Sequence, residues 1–264
     1  MTVWLNGGLL AAAAGIDPAD RGFTLGDGLF ETIRARSGTA SHLDRHLRRL
    51  RGAAAFLGIP LPWSNAEIED AIGALMIAED RGEAALRLTL SRGPGPRGIL
   101  PPERPAPTLL ITAGPLPPAA PPARLIFAAV TRRNELSPLS RLKTLNYLDN
   151  ILARREAAAR GADDAILLNT VGRLAESSIA NLFVLKHGVW HTPPVADGAL
   201  PGIARSLLLE AGAVETPLDP VDLAGAQAAF LSNSLGLRPI ASIEGTEIGR
   251  ADAAIAELAA IIFR

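Results

Sequence analysis

The 264-residue chain has no cysteine, only two lysines and a single tyrosine. The absence of cysteine excludes disulfide bonds, thiolate catalysis and thiolate metal ligands, and it favours a reducing compartment such as the cytoplasm. The formal net charge is −1, so the chain lacks the excess of basic residues with which proteins bind nucleic acids or anionic membranes. The sequence shows no signal-peptide pattern and no uninterrupted apolar run of ~18 residues. We therefore expect a cytoplasmic protein whose partners are neither nucleic acid nor membrane.

The scarcity of lysine narrows the search for a reactive amine. The other cationic side chains are arginines, which stay protonated and cannot act as amine nucleophiles. Lys143 lies beside Leu142 and Leu145 at the start of a predicted helix, whereas Lys186 lies in a turn ahead of Gly188. Burial or a neighbouring cation activates a lysine, so Lys143 is the candidate nucleophile and Lys186 a predicted solvated loop cation. The alternative is that Lys143 is an ordinary surface lysine.

Five prolines crowd residues 114–122, where neither a helix nor a central strand can continue. We predict an α/β (α+β) protein of two domains, with a small-molecule cleft between them. The predicted segments are a small N-terminal α/β domain at 1–115, a linker at 116–123 and a larger, β-rich domain at 124–264.

Local patterns predict the elements of both domains. The Asn6-Gly7 pair predicts a hairpin, and glycines mark a loop over residues 20–28. Periodicity predicts helices at 41–57, 65–81, 145–160, 202–211 and 251–262, and strands at 29–34, 84–91, 124–130, 164–168, 178–186, 188–191 and 228–231.

Two segments of the second half carry polar chemistry. Glu176 stands where a turn enters a strand, and a carboxylate there can stabilise a protonated pyridine nitrogen; the alternative is a solvated glutamate. Pro201-Gly202 precedes an apolar helix, whose first N–H groups and dipole can bind phosphate. Neither signal is specific alone, because such strand entries and helix starts are common.

Six motifs occur in a fixed order along the chain. They are Asp-Arg-Gly-Phe-Thr-Leu-Gly-Asp-Gly-Leu-Phe-Glu-Thr at 20–32, His-Leu-Arg-Arg-Leu at 46–50, Leu-Lys-Thr-Leu-Asn at 142–146, Glu-Ser-Ser-Ile-Ala-Asn-Leu-Phe at 176–183, Leu-Pro-Gly-Ile-Ala-Arg at 200–205 and Ser-Asn-Ser-Leu at 232–235. In this order the chain resembles the fold type IV pyridoxal-phosphate enzymes, the class IV aminotransferase family. The resemblance spans about residues 3–245. It implies a homodimer that holds pyridoxal 5′-phosphate in the cleft between two domains and acts on a small amino substrate.

The resemblance also implies a role for individual residues. Lys143 would form the internal aldimine and shuttle a proton, and Glu176 would hold the pyridinium nitrogen. Arg49 would bind the phosphate, and its neighbour Arg48 would be exposed to solvent. The remaining implied cofactor contacts are Ile203, Ala204, Ser234 and Tyr147. The first three would meet the phosphate, mainly through backbone N–H groups, although the family often has threonine where Ala204 stands; the tyrosine would lie near the ring.

The loop Ser91-Arg-Gly-Pro-Gly-Pro-Arg-Gly98 bears on the reaction. Arg97 would hold a substrate carboxylate, with Arg92 and Phe30 as further substrate contacts, unless the loop is a turn with two solvated arginines. Its spacing resembles the 4-amino-4-deoxychorismate lyases, which release pyruvate and the folate precursor 4-aminobenzoate. Ile99 departs from that loop, which usually has an aromatic there, and from the histidine of D-amino-acid aminotransferases. The alternatives are a D-amino-acid or (R)-amine transaminase and, third, a branched-chain aminotransferase.

Two other classes of protein fit fewer of these residues. A Schiff-base enzyme without pyridoxal phosphate would need Lys143 but not Glu176, and a binding protein would need neither. His42/His46 and His187/His191 are each four residues apart, but no acidic cluster accompanies them. We therefore expect solvated histidines and no metal site.

Overall fold

The computed structural model describes residues 1–11 and 15–263. It consists of two compact units. The first comprises Met1–Pro117 together with Lys143–Asn146, and the second comprises Pro118–Leu142 together with Tyr147–Arg264. Helices and sheets occur in both, which confirms the predicted mixed α/β class.

The first unit is built on a six-stranded antiparallel sheet with strand order β2-β1-β6-β5-β3-β4. Its strands are β1 Thr2–Leu5, β2 Gly8–Ala11, β3 Gly28–Arg36, β4 Thr39–Ala40, β5 Glu83–Ser91 and β6 Thr108–Gly114. Its helices are α1 Arg21–Leu25, α2 Leu43–Leu57 and α3 Asn65–Ala78. The hairpin predicted at Asn6-Gly7 is confirmed, since β1 and β2 pair across it.

Alternation along β5 explains how this sheet forms a core. Ala84, Leu86, Leu88 and Leu90 are fully buried, whereas Arg87 between them is exposed. A strand with period two places these two sets on opposite faces, so one face packs and the other stays accessible. A capping box of Ser64 and Glu67 starts α3, because each side chain accepts the other residue's backbone N–H.

The second unit contains nine strands in the order β12-β11-β10-β13-β14-β7-β8-β9, with β15 on β14. They are β7 Ala123–Phe127, β8 Asp164–Leu168, β9 Leu174–Ser177, β10 Asn181–Lys186, β11 Val189–Thr192, β12 Val214–Glu215, β13 Ala228–Asn233, β14 Gly236–Ile243 and β15 Thr246–Glu247. Its helices are α4 Leu148–Ala159, α5 Ile203–Glu210, α6 Pro220–Ala224 and α7 Asp252–Ile262, with 3₁₀ turns at Pro138–Arg141 and Val195–Asp197.

An additional pairing, Asn181 with Glu176, joins β9 to β10 and closes a ring of six strands. Alternate side chains of β10 and β13 fall into two separate clusters. Leu182 and Leu231 belong to one apolar cluster, and Phe183 and Phe230 pack in the other against α5 and α7. The two phenylalanine rings stack with centroids 4.9 Å apart.

Three predictions of local structure were wrong. The helix expected from residue 145 begins at Leu148, because the backbone of 143–145 is hydrogen-bonded to β3 instead. The loop expected at 20–28 contains α1, which Asp20 caps by accepting from the N–H of Gly22. The strand expected over 178–186 begins only at Asn181, because residues 178–180 form the turn between β9 and β10.

Lys186 is also placed differently from the prediction. It is the last residue of β10 and does not lie in a solvated loop, and its amine lies 2.5 Å from a carboxylate oxygen of Asp222.

Among the described residues, none of the helices combines the length and the apolar character that crossing a bilayer requires.

Gly93 provides a test of the first unit. Its φ is +84°, and a Cβ there would lie 1.7 Å from the carbonyl oxygen of Ala106. We expect Gly93→Ala to lower the free energy of unfolding by about 3 kcal/mol or more, because backbone strain and a backbone clash act together. Urea denaturation measures this loss.

Gly38→Ala is the matched control. Gly38 also has a positive φ, +77°, but no atom lies within 4 Å of the place that a Cβ would take. This variant should lose only about 1 kcal/mol, since it carries the strain without the clash. Equal losses for the two variants would contradict the close approach at Gly93.

Candidate active site

Lys143 lies in an extended segment that docks on β3 of the first unit. The N–H of Phe30 donates to the carbonyl of Lys143, and the N–H of Leu145 donates to the carbonyl of Gly28, both at 2.9 Å. These bonds fix the backbone immediately after the Cα atom of Lys143. The Lys143 amine lies 4.2 Å from the centroid of the Phe30 ring, and Phe30 is only 6% exposed. The only lysine of the first unit is therefore half-buried and held against an aromatic face.

Arg87 is a second cation on the same ring, and the sequence analysis missed it. Its guanidinium carbon lies 3.9 Å from the Phe30 centroid, and its Nε donates to Thr89 at 3.2 Å. The signal was available in the sequence, because Arg87 is a charged residue that alternates with the buried leucines of β5. What was not available was the pairing of Phe30 with Thr89, which brings Arg87 to that ring.

A buried polar cluster lies on β3 and α2. Glu31 accepts from Nδ1 of His46 at 2.7 Å and from two nitrogens of Arg49, at 2.8 and 2.5 Å. Glu31 and His46 are only 1% exposed, which contradicts the expectation that His46 is solvated. Arg48 is 76% exposed, as expected.

Electrostatics fix the charges in this cluster. Burial would raise the pKa of Glu31, but the Arg49 guanidinium and the His46 hydrogen bond hold that pKa below its ordinary value. Burial lowers the pKa of His46, against the opposing influence of Glu31. At neutral pH the cluster is therefore a carboxylate between a guanidinium and a neutral imidazole.

Arg92 is placed differently from the prediction of a substrate contact. It is 6% exposed, and its donors reach both oxygens of Asp27 and the carbonyls of Leu57 and Gly58. Asp27 also accepts from Arg21, and these two arginines hold its pKa below the ordinary value although burial opposes them. Arg92 therefore has a structural role.

Arg97 is exposed, and the loop that carries it is held by Arg21. The Arg21 guanidinium donates to the carbonyls of Gly98 at 3.0 Å, Ile99 at 2.7 Å and Leu100 at 3.3 Å. Sequence reasoning did not identify Arg21, although it lies in the first of the six motifs. The side chain that fixes this loop thus comes from α1.

In the second unit, Glu176 lies near the end of β9 and is 6% exposed. One carboxylate oxygen accepts from the N–H of Leu200 at 2.9 Å and lies 3.4 Å from the amide nitrogen of Asn181. The other lies 3.1 Å from Nε of Arg133, a residue that the sequence analysis did not single out. Three donors therefore hold the carboxylate in one orientation, which excludes the solvated alternative.

The start of α5 lies close to this carboxylate. A Cβ at Gly202, the residue before α5, would lie 2.1 Å from the side-chain oxygen of Asn181. No described side chain caps α5, and its first residues Ile203 and Ala204 are buried. Only glycine therefore allows the helix to begin against Asn181.

Ser232 pairs with Asn181 across β10 and β13, so it lies beside the residue against which α5 begins. It is 1% exposed, and its Oγ has no hydrogen-bond partner among the described residues. Ser234, which the sequence analysis favoured, follows β13 and is half-buried. Tyr147 is also half-buried and immediately precedes α4.

Comparison with known proteins identifies the family. The family described as amino-transferase class IV matches residues 28–243. The chain belongs to the class IV aminotransferase family. Two relatives differ in reaction: a D-alanine aminotransferase of Bacillus licheniformis is 30% identical over 94% of this chain and 90% of its own, and an aminodeoxychorismate lyase of Bacillus subtilis is 32% identical over 79% and 72%.

A solved structure shares the fold of this member of the class IV aminotransferase family. The branched-chain aminotransferase of the thermophilic archaeon Thermoproteus uzoniensis superposes with a TM-score of 0.91 at 27% identity, covering 100% of this chain and 94% of the other. The recognition made from six motifs is thereby confirmed, and the chain is an enzyme of this family.

Class IV aminotransferases use pyridoxal 5′-phosphate, and residues here fit both polar ends of that molecule. A phosphate needs N–H and O–H donors, which the uncapped start of α5 and the unpartnered hydroxyl of Ser232 supply. A protonated pyridine nitrogen needs a carboxylate in a fixed position, and three donors hold Glu176 in one orientation.

The buried cluster predicts how stability depends on pH. The folded pKa of His46 is below its ordinary value of 6.5, so the unfolded chain binds more protons as the pH falls below about 6.5. Glu31 and Asp27 add a second loss below their ordinary values of 4.5 and 3.8. We expect the urea concentration at the midpoint of unfolding to decrease as the pH is lowered from about 8 to 5.5. It should decrease further near about pH 4.

His46→Asn separates the two stages. Asparagine keeps a donor near the position of Nδ1 but does not titrate, so the loss at the higher pH should shrink while the loss in acid remains. An unchanged loss at the higher pH would contradict the assignment to His46.

Proposed function

We propose that this member of the class IV aminotransferase family acts on a small amino substrate and is a 4-amino-4-deoxychorismate lyase, releasing pyruvate and 4-aminobenzoate. The proposal rests on the amine at Lys143, on the second cation near it and on the loop that carries Arg97.

Lys143 and Glu176 have the central roles in the proposal. Bound pyridoxal phosphate supplies an electron sink for bonds at the carbon that carries the substrate's amino group. Lys143 holds the cofactor covalently at rest and afterwards moves a proton, and Glu176 keeps the pyridine nitrogen protonated. Support comes from the fixed backbone around Lys143 and the three donors around Glu176.

Phosphate binding in the proposal involves Arg49 and the start of α5. Ile203 and Ala204 donate backbone N–H groups, and Ser234 adds a contact from the turn after β13. Ser232 joins them, because a buried hydroxyl without a partner carries a desolvation cost that an anionic ligand would relieve. It also compensates for the threonine hydroxyl that Ala204 lacks. Tyr147 lies near the ring in this proposal.

The substrate class follows from the two cations on Phe30. The Arg87 guanidinium and the Lys143 amine both contact that ring, at 3.9 and 4.2 Å, so a carboxylate bound to Arg87 would lie near the same ring as the amine. Arg97 provides a second carboxylate site. A substrate with an amino group and two carboxylates, as in aminodeoxychorismate, uses both arginines.

The loop ahead of Arg97 favours the lyase. Four motif residues have a structural reason: Ser91 donates to Asp20, Arg92 pairs with Asp27, Gly93 has φ +84°, and Gly95 packs closely against Arg21. The spacing that resembles the lyase loops therefore falls on residues that hold this loop in place, and this observation supports the choice of the lyase.

A D-amino-acid or (R)-amine transaminase is the second candidate, and a branched-chain aminotransferase the third. A transaminase would also use Arg87 and Arg97, since keto-acid acceptors such as 2-oxoglutarate are dicarboxylates.

We further propose a cytoplasmic homodimer that supplies a folate precursor. Exposed Ile99 and Leu100 on the Arg97 loop support self-association, which light scattering of the purified protein would test.

The two lysines allow a matched test of the cofactor. Wild type should show the ~410–430 nm band of pyridoxal phosphate bound to a lysine, and borohydride should abolish it. Lys143→Ala should lose the band and the activity, whereas Lys186→Ala should keep both. A colourless wild-type protein after incubation with pyridoxal phosphate, or a Lys143→Ala variant that keeps the borohydride-sensitive band, would contradict the proposal.

The two candidate reactions are distinguished by whether the enzyme requires a keto-acid acceptor. A lyase converts aminodeoxychorismate into fluorescent 4-aminobenzoate and pyruvate without any keto-acid acceptor. A transaminase forms pyruvate from D-alanine only when an acceptor such as 2-oxoglutarate is present. We expect a higher kcat/KM for acceptor-independent 4-aminobenzoate release; the reverse order would favour the transaminase.

Arg87→Gln extends the same assay to the substrate site. We expect a KM for aminodeoxychorismate raised about 10–100-fold, because an ionic hydrogen bond to a carboxylate is lost. The cofactor band should not change. Arg36→Gln is the control, since Arg36 is an exposed strand arginine that pairs with Glu83 at the far end of β3.

A further inference from the structure

Arg49 belongs to a cluster in which it is the most accessible member. Its side chain is 12% exposed, whereas Glu31 and His46 are 1% exposed. Glu31 lies on β3, and its strand pairing with Leu88 fixes its backbone. His46 and Arg49 are three residues apart on α2, so both can reach the carboxylate from one face of that helix.

Contacts within the cluster determine the orientation of the guanidinium. Glu31 accepts from Nε of Arg49 at 2.8 Å and from Nη2 at 2.5 Å, each with a different carboxylate oxygen. A planar guanidinium held by two parallel bonds cannot rotate about its long axis. The edge that carries Nη1 is consequently directed away from Glu31.

His46 in turn restrains Glu31. Its Nδ1 lies 2.7 Å from the oxygen of Glu31 that also accepts from Nη2 of Arg49. Since burial keeps the pKa of His46 low, the neutral ring donates one hydrogen bond without adding a charge. The imidazole of His46 therefore restrains the carboxylate of Glu31, and that carboxylate restrains the guanidinium of Arg49.

A buried ion pair of this kind is weak evidence for stability, because desolvation offsets much of the attraction. An orienting role accounts better for a cluster that ends in a partly accessible guanidinium. We propose that Glu31 and His46 are positioning residues that hold Arg49 so that its remaining edge binds the phosphate of the cofactor. This inference rests on the proposed function, in which Arg49 binds that phosphate.

Comparing pyridoxal phosphate with pyridoxal, which lacks the phosphate, distinguishes a loss of Arg49 orientation from a general loss of stability. Apparent dissociation constants for pyridoxal phosphate and for pyridoxal are measured from the visible band of each protein. Glu31→Gln is expected to weaken pyridoxal phosphate about 10–100-fold while changing pyridoxal less than about threefold, because only the phosphate contact is lost. His46→Leu should show a smaller loss with the same selectivity.

Two variants serve as matched controls. His46→Asn restores a donor near the position of Nδ1 and should recover most of the affinity for pyridoxal phosphate that His46→Leu loses. Arg48→Gln changes the exposed neighbour of Arg49 and should bind both ligands as wild type does. Thermal unfolding of every variant shows whether it folds. If Glu31→Gln does not fold, the comparison of His46→Leu with His46→Asn decides the matter.

The outcomes distinguish the inference from the function beneath it. Equal weakening of both ligands would assign Glu31 and His46 a structural role only and overturn the inference, as would unchanged binding of pyridoxal phosphate. In both cases wild type still binds the cofactor, so the proposed function survives. If wild type takes up neither ligand, the proposed function itself fails, and the inference fails with it.

Discussion

The hydrogen bonds between residues 143–145 and β3 are the constraint on which the candidate site depends. They take the backbone of Lys143 out of the helix that its sequence suggests and fix it beside Phe30. Since an amine on a flexible stem is positioned largely by its backbone and by what its chain packs against, these two bonds and the Phe30 ring position the Lys143 amine. The same strand presents Glu31 to α2, so one strand organises two different polar clusters.

Shared carboxylates are the second organising device in a chain with 26 cationic side chains. Asp27 binds Arg21 and Arg92, and Glu31 binds Arg49 together with the neutral imidazole of His46. In each case a pKa held below its ordinary value keeps the carboxylate ionised despite burial. The arginines of these clusters are thereby paired with carboxylates, whereas Arg87 and Arg97 are exposed.

Sequence reasoning predicted what is encoded locally. Periodicity located α2 and α3, and motif order identified the family and its cofactor. It failed where tertiary hydrogen bonds override a local pattern, as at Leu145, whose N–H binds Gly28 rather than a helical carbonyl. It also treated His46 as solvated, because four-residue spacing cannot show that a carboxylate lies 2.7 Å away.

The two faces of the first sheet have a consequence for how the family diversifies. Leucines of β5 point to the packed face, while Arg87 and its neighbours point to the other, and strand pairing keeps the two sets apart. If Arg87 binds the substrate as proposed, substitutions on the accessible face would alter which ligand is accepted while leaving the core packing unchanged. Under selection, such a sheet allows new specificities to arise without loss of the folded state, and relatives of one architecture here bear the names of lyases and of transaminases.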